Sequence, residues 1–161
     1  MERDAFDRTI RRADSNDAPA VASLWIRSRM ASIPAIPAPV HGARDVLSWF
    51  TSEVIPRGGT WVMDQGGRVV ALLVLEGSWV DQLYVDPDRT GTGSGSALLE
   101  HAKQLSNGKL DLWTFRSNWR ARAFYERHGF VPVGTTDGES EENAPDIHFQ
   151  WSTTDVGPIS E

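Results

Sequence analysis

The sequence of 161 residues contains no cysteine. Structural disulfides and a covalent acyl-cysteine intermediate are therefore excluded, and the composition is compatible with a reducing compartment. No apolar run is long enough to cross a membrane as a helix, and the charged N-terminal residues 1–12 lack the apolar core of a signal peptide. These absences predict a cytoplasmic protein with no membrane partner.

Basic residues are also scarce, with 16 Lys and Arg against 22 Asp and Glu, and the net charge is −6. Without a basic patch to contact phosphates, a nucleic-acid partner is not expected. The acidic excess favours a cationic substrate, although solubility alone is the simpler explanation of the charge. The histidines have no metal-ligand spacing, so no metal site is predicted. They are His41, His101, His128 and His148.

Hydrophobic residues make up 40% of the chain, which suits one globular domain of this length. We assign residues 1–151 to that domain and residues 152–161 to a polar tail. Apolar periodicity and turn residues predict an α/β fold, a mixed sheet flanked by helices in the order β-α-α-β-β-β-α-β-α-β-β. The predicted strands cover residues 9–12, 60–64, 68–76, 79–85, 109–115, 130–136 and 147–151, and the predicted helices cover 15–30, 43–55, 96–106 and 118–128.

A glycine-rich segment follows the predicted strand Trp79–Val85 and contains Gly91, Gly93 and Gly95. Glycine lets the backbone approach a ligand closely and exposes its N–H groups. A helix predicted to start at Ser96 adds unpaired donors and a partial positive charge. The segment therefore predicts a binding site for an anion such as a pyrophosphate.

Two known phosphate-binding motifs do not fit these glycines. A Walker A loop has Lys and then Ser or Thr after its last glycine, but Gly95 is followed by Ser96. A dinucleotide fingerprint has glycine at its first, third and sixth positions. Counted from Gly91, the sixth position is Ser96. Counted from Gly93, the sixth position is Leu98.

Two motifs carry a resemblance to the GNAT acetyltransferase superfamily. The segment Thr90–Gly95 resembles its acetyl-CoA loop, Gln or Arg followed after two residues by Gly-x-Gly or Gly-x-Ala. Gly93 and Gly95 match that pattern, whereas Thr90 replaces the usual Gln or Arg. The segment Asn118–Phe130 matches the superfamily's Asn-x-x-Ala-x-x-Phe-Tyr-x-x-x-Gly-Phe helix at every named position. The predicted order of elements is also that of a GNAT domain.

The resemblance implies that the cofactor is acetyl-CoA. In GNAT folds the strand before the loop splays from the next strand, and the pantetheine arm fills the gap. Transferred here, the amides of Leu83 and Val85 would hold the arm and the thioester carbonyl, the glycine loop would hold the pyrophosphate, and Asn118 would touch the arm. The cofactor-binding residues implied in this way are Leu83, Tyr84, Val85, Gly91, Thr92, Gly93, Ser94, Gly95, Ser96, Asn118 and Tyr125.

The resemblance also implies acetyl transfer to a primary amine by direct attack in a ternary complex. Tyr125 occupies the family's general-acid position, where a phenol can protonate the departing thiolate. Asp81 is the candidate base, because strand alternation puts it on one face with Leu83 and Val85. Other candidates for the base are a water chain and three side chains, Glu76, His41 and His148.

The acceptor is left open among small amines, antibiotics, amino acids and protein N-termini or lysines, since the resemblance extends to a bacterial branch without an assigned substrate. The segments 31–41 and 137–146 are expected to flank its pocket. Four acidic residues there could attract a cation: Glu139, Glu141, Glu142 and Asp146. The tryptophans are expected mostly in the core, with one or two lining this pocket. Alternatives on the same fold are another acyl donor, an oxygen acceptor, or a non-catalytic acyl-CoA sensor, and a homodimer is one expected assembly.

Overall fold

Seven strands form one mixed sheet in the order β1-β2-β3-β4-β5-β7-β6, which confirms the predicted fold class. A computed structural model describes residues 7–138 and 144–153 of the chain. The strands are β1 (Arg8–Arg12), β2 (Thr60–Gln65), β3 (Arg68–Glu76), β4 (Trp79–Val85), β5 (Lys109–Phe115), β6 (Val131–Thr135) and β7 (Asp146–Ser152). The helices are α1 (Ala18–Ala31), α2 (Ala43–Trp49), α3 (Ser94–Leu105) and α4 (Trp119–Arg127). No helix in this part of the chain is long and apolar enough to cross a membrane.

The helices cover both faces of the sheet, and each face has its own apolar core. On one face α1 and α2 pack on β2 and β3, with Leu24 and Leu72 among the fully buried residues. On the other face α3 and α4 pack on β3, β5 and β7, with Leu98, Leu112 and Phe149 at the centre. The alternation of side chains along each strand sends them into these two cores in turn.

Several boundaries differ from the sequence-based expectation. The helix predicted over 43–55 is α-helical only to Trp49, continues as a π-helical turn over Phe50–Val54, and ends in a 3-10 turn at Ile55–Arg57. Strand β7 extends to Ser152, one residue into the predicted polar tail. Residues 154–161 of that tail lie outside the described residues.

The helix predicted to start at Ser96 starts at Ser94 instead. Gly93 has a left-handed backbone with φ of 89° and acts as the N-cap, and its carbonyl accepts the N–H of Ala97 at 3.0 Å. Because glycine adopts this conformation without steric cost, the helix can begin directly after it. Gly95 and Ser96 therefore lie in the first turn of α3 and not in the loop before it.

The sheet has a weak seam between β4 and β5. These parallel strands pair only at Trp79 with Asp111 and at Val80 with Leu112, whereas β5 pairs with β7 along its whole length. Beyond Val80 the two strands diverge. The divergence leaves the carboxyl-terminal half of β4 with one edge free of strand partners.

Candidate active site

The free edge of β4 presents backbone donors to the gap. The N–H of Asp86 donates to the carbonyl of Val70 on β3 at 2.8 Å. Because successive N–H groups of a strand point to opposite edges, those of Leu83 and Val85 point away from β3 and toward β5. No strand pairs with them there. Two parallel amide donors therefore face the gap, in the place that the resemblance to GNAT proteins implies.

A cleft of about 1370 Å³ runs along this gap. Its walls come from β4, the glycine loop, the segment 31–36, the end of β5 and the start of α4. Of the predicted site residues, all but Thr92 line it: Asp81, Leu83, Tyr84, Val85, Gly91, Gly93, Ser94, Gly95, Ser96, Asn118 and Tyr125. The fold thus brings together residues of separate elements, from Asp81 on β4 to Tyr125 on α4.

Thr92 is turned toward β1 instead of the cleft. Its hydroxyl donates to the carbonyl of Arg89 at 2.6 Å, and its own carbonyl accepts from the guanidinium of Arg8 at 3.0 Å. These contacts hold the outer side of the glycine loop against the first strand. The inner side of the loop remains directed at the cleft.

The glycines of the loop differ in backbone conformation and in the space around them. Gly91 and Gly93 have φ of 80° and 89°, and a Cβ added to either would meet no protein atom within 4 Å. A Cβ added to Gly95 would lie 3.4 Å from Val85 and 3.5 Å from Phe124. The first two glycines thus face open space at the N-terminus of α3, where N–H groups favour an anion. A Cβ at Gly95 would make ordinary van der Waals contacts with the side chains of Val85 and Phe124, so Gly95 faces protein and not open space.

A buried carboxylate anchors the start of this loop. Asp86 is fully buried, accepts the N–H of Asp88 at 3.0 Å, and forms ion pairs with Arg27 of α1 at 3.0 Å and Arg68 of β3 at 2.9 Å. Burial by itself would raise the pKa of Asp86, but these partners outweigh it and hold the pKa below its usual value. Sequence reasoning missed this residue, although Asp before Pro87 at a strand end is a capping pattern.

Tyr125 reaches the cleft from the core beneath it. It lies on α4, is 8% exposed, and packs between the rings of Phe130 and Phe149. Burial raises the pKa of its phenol, with a further contribution from the nearby Tyr84. The hydroxyl has no hydrogen-bond partner among the described residues, so its proton is available to a group in the cleft.

Asp81 occupies a β-bulge. Val74 of β3 pairs with Gln82 and Leu75 pairs with Val80, which leaves Asp81 unpaired between them. The bulge interrupts the strand alternation from which its position was predicted. Asp81 nevertheless lines the cleft, at an exposed position on its rim. Crowding by protein atoms raises the pKa of its carboxyl group, and the charge of Glu76 adds to this effect.

The other candidate bases do not line the cleft. Glu76 is paired with Arg57 at 2.5 Å, and His148 lies 2.9 Å from a carboxylate oxygen of Asp111. His41 lies on the segment before α2. Within the described parts of the chain, no group of three His, Asp or Glu side chains could hold a metal ion.

Asn118 caps the helix that carries Tyr125. Its side-chain oxygen accepts the N–H of Ala121 at 3.2 Å, which is the contact of a helix N-cap. The neighbouring hydroxyl of Ser117 donates to the carbonyl of Ala35, which ties the proline-rich segment to the mouth of the cleft. Of the four acidic residues predicted at the acceptor pocket, Asp146 lines the cleft. The other three, Glu139, Glu141 and Glu142, lie outside the described residues.

Residues 56–132 match a family model described as an acetyltransferase (GNAT) domain. The matched region contains the glycine loop, the seam between β4 and β5, and Tyr125. The two sequence motifs and the family model therefore point to the same part of the chain.

Two named bacterial relatives match most of the sequence. "Peptidyl-lysine N-acetyltransferase YjaB" of Salmonella typhimurium is 30% identical over 129 residues, which cover 80% of this chain and 86% of the relative. "Peptidyl-lysine N-acetyltransferase YiaC" of Escherichia coli is 27% identical over 143 residues, which cover 88% and 95%.

Solved structures show the same fold. The apo form of YjaB from Escherichia coli superposes with a TM-score of 0.73 at 24% identity, over 89% of this chain and 97% of that chain. PaiA N-acetyltransferase of Thermoplasma acidophilum, solved in complex with coenzyme A, superposes with a TM-score of 0.69 at 16% identity, over 90% and 98%.

Proposed function

This chain belongs to the GNAT acetyltransferase family and is an N-acetyltransferase, and on that premise we propose that it transfers the acetyl group of acetyl-CoA to the side-chain amine of a lysine in a peptide or protein. The observation that carries the proposal is the seam between β4 and β5, where two amides face a cleft beside an anion-binding loop. The names of the two bacterial relatives support lysine as the acceptor.

The chain's backbone fits acetyl-CoA. The open space next to Gly91 and Gly93 suits a pyrophosphate held by loop and helix N–H groups. The amides of Leu83 and Val85 would hold the pantetheine arm, and one of them would donate to the thioester oxygen. Such a donor stabilises the negative charge that develops on the oxygen as the amine attacks, an effect typically worth about 3–4 kcal/mol.

Tyr125 supplies a proton donor on the leaving-group side. Its raised pKa keeps the phenol protonated at neutral pH. It is then a weaker acid than a free thiol, whose pKa is about 8.5. Tyr125 therefore acts first by donating a hydrogen bond to the sulfur as charge develops. The thiolate then takes the phenol proton, and the phenolate is reprotonated by the proton that the nitrogen loses after it has attacked.

Asp81 supplies the negative charge on the acceptor side. A lysine amine has a pKa of about 10.4 and must be neutral to attack. A carboxylate at the rim attracts the ammonium group and accepts its proton, directly or through water. Asp81 lies in the bulge between the paired residues Val80 and Gln82 and lines the cleft, which supports this role.

The function is tested by thiol release from acetyl-CoA in the presence of a lysine peptide blocked at both termini. The chain has no cysteine, so the thiol reagent reads only the product. We expect turnover that depends on the peptide, together with acetyl-CoA binding measured by calorimetry. Binding without turnover for any amine would assign the protein as an acyl-CoA sensor instead. A failure to bind acetyl-CoA would contradict the proposed site itself.

A further inference from the structure

A cluster of rings stands next to the cleft and is not explained by cofactor binding. Trp113 of β5 is 47% exposed, and its indole is stacked on that of Trp79 with centroids 6.3 Å apart and planes 8° from parallel. The imidazole of His148 on β7 lies 5.0 Å from Trp79 and 5.1 Å from Trp113. We call Trp79, Trp113 and His148 the aromatic wall.

A buried carboxylate holds the aromatic wall in place. Asp111 is 3% exposed, and one of its oxygens lies 2.9 Å from the His148 ring nitrogen and accepts from the Gln150 amide at 2.9 Å. Burial would raise the pKa of Asp111, but these two partners and Lys109 outweigh it and keep the pKa below its usual value. An ionised, buried group therefore fixes the imidazole, and the imidazole fixes the two indoles.

The aromatic wall lies on the side of the sheet from which an acceptor can enter. Leu112 of β5 is buried in the same core as Tyr125, so its neighbour Trp113 points to the opposite face. Tyr125 reaches the cleft from the packed core under α4, whereas Trp113 is 47% exposed on the opposite face and lines the cleft. The face that carries Trp113 is therefore the open one, from which an amine can approach the thioester.

We propose that Trp113 is the residue that selects lysine as the acceptor, by packing its indole against the four-carbon stem of the lysine side chain. A lysine offers an apolar stem and a cationic tip, and an aromatic face is attractive to both. The stem would lie along Trp113, with the tip near the carboxylate of Asp81 at the rim. His148 and Asp111 are positioning residues that act through Trp113. This inference rests on the proposed function.

The test compares Trp113→Ala with the matched control Trp113→Phe on a blocked lysine peptide. Removing the ring should raise the KM for the peptide about tenfold, in line with an aromatic contact to a partly desolvated cation and its stem. The phenyl ring should restore most of this loss. The KM for acetyl-CoA should not change in either variant, because the groups assigned to the cofactor are main-chain donors of β4, the glycine loop and α3.

Stem length gives a second readout. The side chain of ornithine is one methylene shorter than that of lysine. With its stem packed on the aromatic wall, the ornithine amine would therefore lie farther from the thioester than the lysine amine. The wild-type protein should therefore prefer lysine in kcat/KM, and Trp113→Ala should lose that preference. His148→Gln keeps a hydrogen-bond donor for Asp111 but removes the ring, and should raise the peptide KM about threefold with little change in kcat.

The results distinguish the role of Trp113 from the proposed lysine acetyltransferase function. If the wild-type protein turns over the lysine peptide and Trp113→Ala has an unchanged KM and an unchanged preference, the assignment of Trp113 is overturned and the proposed function stands. If the wild-type protein acetylates no lysine peptide, both are overturned. If sedimentation shows a dimer that Trp113→Ala dissociates, the aromatic wall binds a second copy of the chain and the assignment is again overturned. Quenching of indole fluorescence by the lysine peptide, with coenzyme A present, checks binding without turnover.

Discussion

The proposed cofactor side of the cleft is built from main-chain groups, whereas the proposed acceptor side is built from side chains. On the first side the donors are the backbone amides of β4, of the glycine loop and of the first turn of α3. Gly91 and Gly93 have no side chain that could stand between these amides and a ligand in the cleft. On the second side the cleft meets the ring of Trp113 and the carboxylate of Asp81. A main-chain site recognises what all acyl-CoA molecules share, and a side-chain site can be changed to suit a particular amine.

Each side is anchored by a buried aspartate, but the two anchors differ in their partners. Asp86 is held by two arginines from α1 and β3, which fix the loop against the body of the protein. Asp111 is held chiefly by His148 and Gln150 of the adjacent strand, which fix only the local ring stack. We therefore expect that changes on the cofactor side affect the KM for acetyl-CoA and that changes on the acceptor side affect the KM for the peptide.

Tyr125→Phe should give the largest effect and should fall on neither KM. Loss of the proton donor should lower kcat about 100-fold, within the usual range for general acid catalysis. The affinity for acetyl-CoA, measured by calorimetry, should change less than about twofold, because only one buried hydroxyl is removed. An unchanged kcat would show that Tyr125 is not the general acid, and neither side of the cleft would then have an assigned proton donor for the leaving group.

Gly93→Ala should give the next largest effect, confined to the cofactor side. Its Cβ would project into the space assigned to the pyrophosphate and should raise the KM for acetyl-CoA about 30-fold, the loss expected for disturbed hydrogen bonds to a charged group. Gly67→Ala is the matched control, since Gly67 has φ of 88° against 89° for Gly93 and also has open space at its Cβ. Both variants should lose similar stability through left-handed strain, about 1–2 kcal/mol. Equal KM values for the two variants would contradict the proposed cradle.

Asp81→Asn should give a smaller, pH-dependent effect on the acceptor side. The pKa of Asp81 is raised, so its carboxylate is lost at a higher pH than that of an ordinary aspartate as the solution is acidified. The wild type should exceed the variant about tenfold in peptide kcat/KM at pH 8, and the two should converge as the pH falls through that pKa. Asp45→Asn, at an exposed position on α2, is the control. A constant ratio across the pH range would show that the charge of Asp81 plays no part.

Much of the cofactor side could be predicted because its residues are close in the sequence. A strand, a proline, three glycines and a helix within 79–105 are a local pattern, and local patterns report the path of the backbone. The start of α3 was predicted two residues late, because the left-handed conformation at Gly93 was not visible in the composition of the segment. The bulge at Asp81 was also missed, since it depends on the pairing of β4 with β3.

The sequence by itself determined the family, the order of the elements and the backbone groups that face the gap. Only the tertiary structure decided which tryptophans line the cleft, Trp113 and Trp119, and what holds Trp113 there. The stack joins Trp79 of β4, Trp113 of β5 and His148 of β7. His148 is held by the carboxylate of Asp111, which lies on β5, the middle strand of the three. Contacts between segments distant in the chain depend on strand order and register, and no short-range periodicity encodes those.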